Sequence, residues 1–245
     1  MSNYLWITFD CYGTLIDWER GITAAFEKIA MAAGAPFDRN QILKLYRKYE
    51  KEEELQYRKY RDVLTRVARR VCFDVGLQCA TYDFLVDSLP RWRPFNDTNT
   101  ALQRLARRHK LGILSNIDND LLAQTRKHLT VNFELIVTAE NVASYKPELN
   151  HFQEARRKIA NAEWVHAAQS YFHDILPVSK GSNEILQRPS HKVARRVLKF
   201  HATRGWHIHP VSSPVRRERF HCRLTLEYSR DLLFEHPVQS ILQPE

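Results

Sequence analysis

The chain has 245 residues, 44% hydrophobic and 27% charged, with a net charge of +9; this is enough for one large domain, or a core with a smaller partner, around a real buried core. No apolar run approaches the ~20 residues of a membrane-spanning helix, and Met1-Ser2-Asn3-Tyr4 leads straight into a strand-like run, so neither a membrane anchor nor a signal peptide is expected. Cys11, Cys72, Cys79 and Cys222 have spacings that fit no disulfide framework or zinc site, which points to a reducing, cytoplasmic setting.

The basic excess lies mostly at one end. Residues 180–245 hold 12 Lys/Arg against 6 Asp/Glu, and six of the 11 histidines. An uneven basic surface accounts for this, and nucleic acid is not the expected partner.

In chain order, Tyr4 to Phe9 is apolar, aromatic and β-branched and reads as a buried strand that delivers Asp10 at its C-terminal end, before a Gly-containing turn. Asp17 caps a helix running to about Ala33, stopped by Gly34 and Pro36. Asp38 caps a longer helical stretch toward Gly76, in which the charge-dense run from Lys44 to Arg61 reads as a solvated face. A further helix covers about Ala80 to Leu89, and Pro90 and Pro94 mark a break.

Beyond the break, helices and strands alternate. Helices are expected at Thr98–His109, Asp120–Leu129 and Pro147–Ala160; strands at Leu111–Leu114, Phe133–Thr138 and Trp164–Ser170. Alternation of this kind implies a parallel sheet with right-handed crossovers, whose ligands bind outside the carboxyl ends of the strands. Asp10, Ser115-Asn116, Lys146 and Asp174 all fall there. Each alone reads as a turn, cap or surface residue; four polar groups on one sheet edge read as a site.

These residues carry a resemblance. Asp10-Cys11-Tyr12-Gly13-Thr14-Leu15, Leu111 to Asn116 with Ser115, Ser144-Tyr145-Lys146-Pro147, and His166 to Pro177 with Asp174 resemble, in order, the four motifs of the haloacid dehalogenase superfamily. The implied fold is α/β: a Rossmann-like parallel-sheet core at 1–15 and 94–179, an inserted helical cap at 16–93, and an atypical basic tail at 180–245, disordered or poorly folded.

Phosphatases of this superfamily place a second Asp two residues after the nucleophile, where it protonates the leaving alkoxide. This chain has Tyr12 there. A phenol of pKa ~10 is a poor match for that task near neutral pH, whereas halide leaves without a proton. The resemblance therefore implies a 2-haloacid dehalogenase of the type II branch, a hydrolase cleaving carbon–halogen bonds through an aspartyl ester. Asp10 would be the nucleophile, with Lys146 beside it and Asp174 anchoring Lys146 or positioning the hydrolytic water. Thr14, Ser115 and Asn116 would hydrogen-bond the nucleophile or the substrate carboxylate. Tyr12 would lie against the substrate. Arg47, in the cap run Leu45-Tyr46-Arg47-Lys48-Tyr49, would receive the halide. No metal or other cofactor is expected; the partner is a small molecule, and a homodimer is compatible.

Two alternatives stand beside this reading. One is a phosphatase of the same fold, with Asp10, the Tyr12 carbonyl and Asp174 around Mg²⁺. The other is a non-catalytic binding module with a degraded C-terminus. Phe152 replaces a Tyr of the dehalogenases, and Tyr171 stands where an Asn is expected. The tail departs furthest, which a shifted reading frame, a retained intron or a divergent genuine terminus would each explain.

Overall fold

The computed structural model describes residues 5–175 and 207–210. The first strand, β1 (Leu5–Phe9), is followed by α1 (Trp18–Ala32), α2 (Arg39–Glu53), α3 (Tyr60–Asp74) and the short α4 (Phe84–Ser88). Then come α5 (Thr98–Ala106), β2 (His109–Ser115), α6 (Asn119–Arg126), β3 (Leu135–Thr138), α7 (Ala139–Val142), α8 (Asn150–Ile159) and β4 (Trp164–Ala168). A wide helical turn at Tyr171–Ile175 and a strand β5 (His207–Pro210) complete the described chain.

The sheet order is β3-β2-β1-β4-β5. The first four strands are parallel, with Phe9 opposite Ile113 on one side and Ala167 on the other, and Ser115 opposite Thr138. β1 is central, so both of its faces are covered: Ile7, Thr8 and Phe9 are fully buried. At Gly112 in β2 an added Cβ would stand 3.0 Å from Leu135 and from the Thr8 methyl, so glycine permits this close strand packing. The parallel register brings Asp10, Ser115-Asn116 and the segment after Ala168 to one edge.

The cap expectation holds in type and departs in detail. Asp17 caps α1 by accepting from Arg20 N at 3.1 Å, and Asp38 caps α2 by accepting from Asn40 N and Gln41 N at 2.8 and 3.2 Å. The single long helix expected toward Gly76 is instead two helices. Its break has a cause in the core: the buried Asp118 carboxylate accepts from Tyr60 N and Arg61 N, at 2.7 and 3.0 Å, and so caps α3 rather than its own helix. The chain leaves and re-enters the core side by side, with Asp17 N on Arg93 O at 3.0 Å and Phe95 N on Leu15 O at 3.1 Å.

Two further corrections concern the second half. The helix expected from Pro147 begins at Asn150, because Tyr145–Glu148 forms a turn closed by Glu148 N on Tyr145 O at 3.0 Å. The tail is not wholly without structure: His207–Pro210 pairs antiparallel with β4, His166 opposite His209, and places its proline on a sheet edge, where a missing N–H is tolerated. Residues 180–206 and 211–245 of the tail lie outside the described residues. Among the described residues no helix is long and apolar enough to cross a membrane.

Candidate active site

Asp10 follows β1 directly, and its N–H continues the ladder onto Ala167 O at 3.1 Å. Gly13, at φ +96°, makes the turn that an L side chain would strain. The turn returns Thr14 to the nucleophile: its hydroxyl donates to Asp10 Oδ2 at 3.1 Å and accepts from Gln169 N at 3.0 Å. Thr14 is thereby committed to holding Asp10.

Lys146 is 2% exposed and reaches the same point from the loop after α7. Its ammonium donates to Asp10 Oδ1 at 2.9 Å, Asp174 Oδ1 at 2.5 Å and Leu114 O at 3.0 Å, which uses all three of its hydrogens. Burial works against the Lys146 charge, but the two carboxylates outweigh it and raise its pKa. Burial raises the Asp10 pKa, opposed by Lys146. Burial would likewise raise Asp174, but Lys146 and His166 bring it down to about 2. Asp174 is thus an ionised anchor for Lys146. Its other oxygen, Oδ2, is sealed from solvent and has no hydrogen-bond partner among the described residues.

A polar chain supports Asp174 from within the sheet. Trp164 Nε1 can only donate, and does so to Thr8 Oγ1 at 2.8 Å; the Thr8 hydroxyl faces His166 Nδ1 at 2.8 Å. His166 Nε2 faces Asp174 Oδ1 at 3.0 Å. A lone pair on Nε2 would repel the carboxylate, so Nε2 carries the proton and donates to Asp174, while Nδ1 accepts from Thr8. Within the fourth motif His166 marked only the start; its partnership with Asp174 arises because the turn after β4 folds back onto that strand.

The other expected residues fall around a cavity of about 300 Å³ that Asp10, Lys146 and Asp174 also line. Ser115 is buried in its wall, with its carbonyl 3.3 Å from His151 Nε2. Asn116 is not free to bind the nucleophile or substrate, as expected of it: Oδ1 accepts from Lys146 N at 2.7 Å, and Nδ2 donates to Lys146 O at 3.0 Å and to Glu54 Oε1 at 3.4 Å. Tyr12 meets Thr125 Oγ1 through its hydroxyl at 2.7 Å and packs edge-on against Trp92, ring centroids 5.9 Å apart. Burial pushes its phenol well above 10. Arg47 stands at the cavity margin, but its guanidinium is paired with Glu19 and lies 5.5 Å from the Trp18 ring centroid.

The sequence reading missed the cap's acidic wall. The run from Lys44 to Arg61, read as solvated, turns Tyr46, Glu50 and Glu54 into the cavity, one helical turn apart. Glu50 Oε1 meets Tyr46 OH at 2.9 Å and Tyr60 OH at 2.5 Å, and the two phenols are 3.0 Å apart. Three contacts among three oxygens need three protons, and the phenols supply two. The triangle is complete when Glu50 is protonated, and burial accordingly raises its pKa. Burial, then the nearby Glu50, likewise push Glu54 well above 4.5, against Asn116 and Lys146.

The arrangement offers a buried carboxylate held by a cation and a hydroxyl, in a cavity lined by both aromatic and polar side chains: a candidate nucleophile for covalent catalysis. The sequence model of the haloacid dehalogenase-like hydrolases matches residues 4–166. The (S)-2-haloacid dehalogenase of Pseudomonas putida is 27% identical over 174 residues, 65% of this chain and 72% of that protein. The glyceraldehyde 3-phosphate phosphatase of Methanothermobacter thermautotrophicus is 27% identical over 168 residues, 62% of this chain and 70% of that protein. The L-2-haloacid dehalogenase structure from Xanthobacter autotrophicus superposes with a TM-score of 0.61 at 21% identity, covering 81% of this chain and 83% of that one. At that identity the superposition speaks to the fold.

Proposed function

Because the chain belongs to the haloacid dehalogenase-like hydrolases, we propose that it hydrolyses the carbon–halogen bond of a small 2-haloacid through an ester on Asp10. The observation that carries this reading is Tyr12. In this loop a proton donor would assist an alkoxide leaving group, but the Tyr12 phenol is tied to Thr125 and its pKa is raised further by burial. Halide needs no such donor.

In the proposed reaction an Asp10 oxygen attacks the halogen-bearing carbon, the carbon–halogen bond breaks, and its electron pair leaves with the halide. Water then opens the ester at the Asp10 carboxyl carbon, restoring Asp10 and releasing the 2-hydroxyacid and a proton. Lys146 and Thr14 hold the nucleophile in line, and Asp174 fixes Lys146. Ser115, in the cavity wall, would hydrogen-bond the substrate carboxylate. Arg47, its charge shared with Glu19, would receive the halide at the cavity margin. No cofactor takes part in this reading, and a small molecule in the cytoplasm is the substrate.

A Mg²⁺-dependent phosphatase is the second reading, favoured by one observation: Asp174 Oδ2 is buried without a hydrogen-bond partner among the described residues, so it is a carboxylate oxygen still able to take a cation. Asp10, the Tyr12 carbonyl and Asp174 would hold the ion, which would supply charge neutralisation to a bound phosphoryl group.

The test is a panel of 2-haloacids and phosphate monoesters assayed with Mg²⁺ and with a chelator. Halide release that survives the chelator is the expected result. Phosphate release that requires Mg²⁺, with no halide release, would reject the dehalogenase reading.

A further inference from the structure

Hydrolysis of an aspartyl ester needs a group to take the proton from the attacking water, and three carboxyls line the cavity with Asp10: Glu50, Glu54 and Asp174. Glu50 is committed to the Tyr46 and Tyr60 hydroxyls. Asp174 is poorly placed to take that proton. Its Oδ1 already accepts from Lys146 at 2.5 Å and His166 at 3.0 Å, and its Oδ2 is sealed from solvent.

Glu54 is differently situated. It is the C-cap residue of α2, and its side chain, 10% exposed, enters the cavity from the cap side. Oε1 is 3.4 Å from Asn116 Nδ2, the same amide that holds the main chain of Lys146. Oε2 stands 4.0 Å from His173 Nε2, beyond hydrogen-bond range. One oxygen is thus steered by the core, and the other is left to the cavity.

We propose that Glu54, contributed by the cap, is the general base of the second half-reaction, taking the proton from the water that opens the Asp10 ester. The inference rests on the aspartyl-ester reading above. In the step, water oxygen bonds to the ester carbonyl carbon and one water proton passes to Glu54. The tetrahedral intermediate collapses with cleavage of the bond to the product oxygen, which recovers that proton from Glu54. The water's second proton is left on the regenerated Asp10 carboxyl and is lost to solvent as Asp10 ionises, so Asp10 and Glu54 both end as they began.

The electrostatic setting raises the proton affinity of Glu54. Glu54 faces Glu50 on its own helix, Tyr60 on α3, Asp10 and Lys146 in the core, Tyr145 before Lys146, and His173. Burial first, and the neighbouring carboxyls with it, lift its pKa well above 4.5. A carboxylate of raised pKa holds a proton better than an ordinary one, which is what a general base requires.

The test separates the two half-reactions. Wild-type protein and the variants Glu54→Gln and Glu54→Asp are mixed with 2-chloropropionate in single-turnover amounts, following chloride release and the mass of the Asp10 peptide together. The Gln variant is expected to release chloride at the wild-type rate and then to retain an ester adduct on Asp10, its decay slowed roughly 100-fold or more. The Asp variant should recover part of that decay. In the wild type, ester decay should rise with pH through the Glu54 pKa, and the chloride burst should not. Adduct decay at the wild-type rate in Glu54→Gln overturns the proposal, and so does loss of the chloride burst along with decay, which would mark Glu54 as a residue that only supports Asn116. A wild-type protein that gives no burst fails at the earlier step, sinking the dehalogenase reading and this inference with it.

Discussion

The Asn116 side chain clamps the main chain of Lys146 at two points, accepting from its N–H at 2.7 Å and donating to its carbonyl at 3.0 Å. The residue at the end of β2 therefore sets where the loop after α7 presents its ammonium. Replacing Asn116 by Ala should free that loop, cost about 1–3 kcal/mol of stability through the unpaired polar groups, and lower kcat with little change in KM. Asn116→Asp keeps the acceptor and loses the donor, so it should fall between the two. Thermal unfolding and steady-state kinetics on the three proteins check this ordering.

Lys146 is the cation on which two carboxylates depend. Lys146→Met should strand Asp10 and Asp174 in a buried site, with a loss of about 3–5 kcal/mol, the size expected when one partner of a buried ion pair is removed. Activity should be abolished. If the double variant Lys146→Met/Asp174→Asn is more stable than the single one in denaturant titration, the penalty is the uncompensated charge; equal stability would argue against it.

Asp174 also makes stability depend on acid. Its carboxyl titrates at about 2 in the folded chain, below the ordinary 3.8. The stabilisation it gives is therefore fully present above pH 3.8 and is lost as the pH falls toward 2. Unfolding measured between these limits should show a steeper acid loss in the wild type than in Asp174→Asn, which lacks that titration.

Much of this site was legible before any coordinates. Strand ends in a parallel sheet share an edge, so Asp10, Ser115, Lys146 and Asp174 could be placed together from hydrophobic runs and their order alone. What could not be read were features that depend on distant parts of the chain meeting. The break between α2 and α3 comes from Asp118, which reaches the Tyr60 N–H from the core. The inward turn of Glu50 and Glu54 depends on how the cap lies over the cavity; in sequence they are two charges in a charged run. The Tyr46-Glu50-Glu54 spacing was a signal, since it puts one aromatic and two acids on a single helix face. Arg47, one residue from that face, was the more obvious charge, and the fold gives it to Glu19.

Tyr12 decides between the two readings of the site, and a conservative change isolates its hydroxyl. Tyr12→Phe loses the contact with Thr125 but keeps the ring against Trp92. It should cost about 1 kcal/mol of stability and leave halide release within a few-fold of wild type. A collapse of halide release in this variant, with folding intact by circular dichroism, would mean that the phenol takes part in the chemistry.

The central claim is that Asp10 forms and then loses an ester. Single turnover of a 2-haloacid in ¹⁸O-water, followed by mass spectrometry of the Asp10 peptide, tests it most directly. Attack of water on the carboxyl carbon predicts one ¹⁸O in Asp10 and none in the product of that first turnover. Label in the product with none in Asp10 would show that water attacks the substrate carbon itself, and would contradict the account.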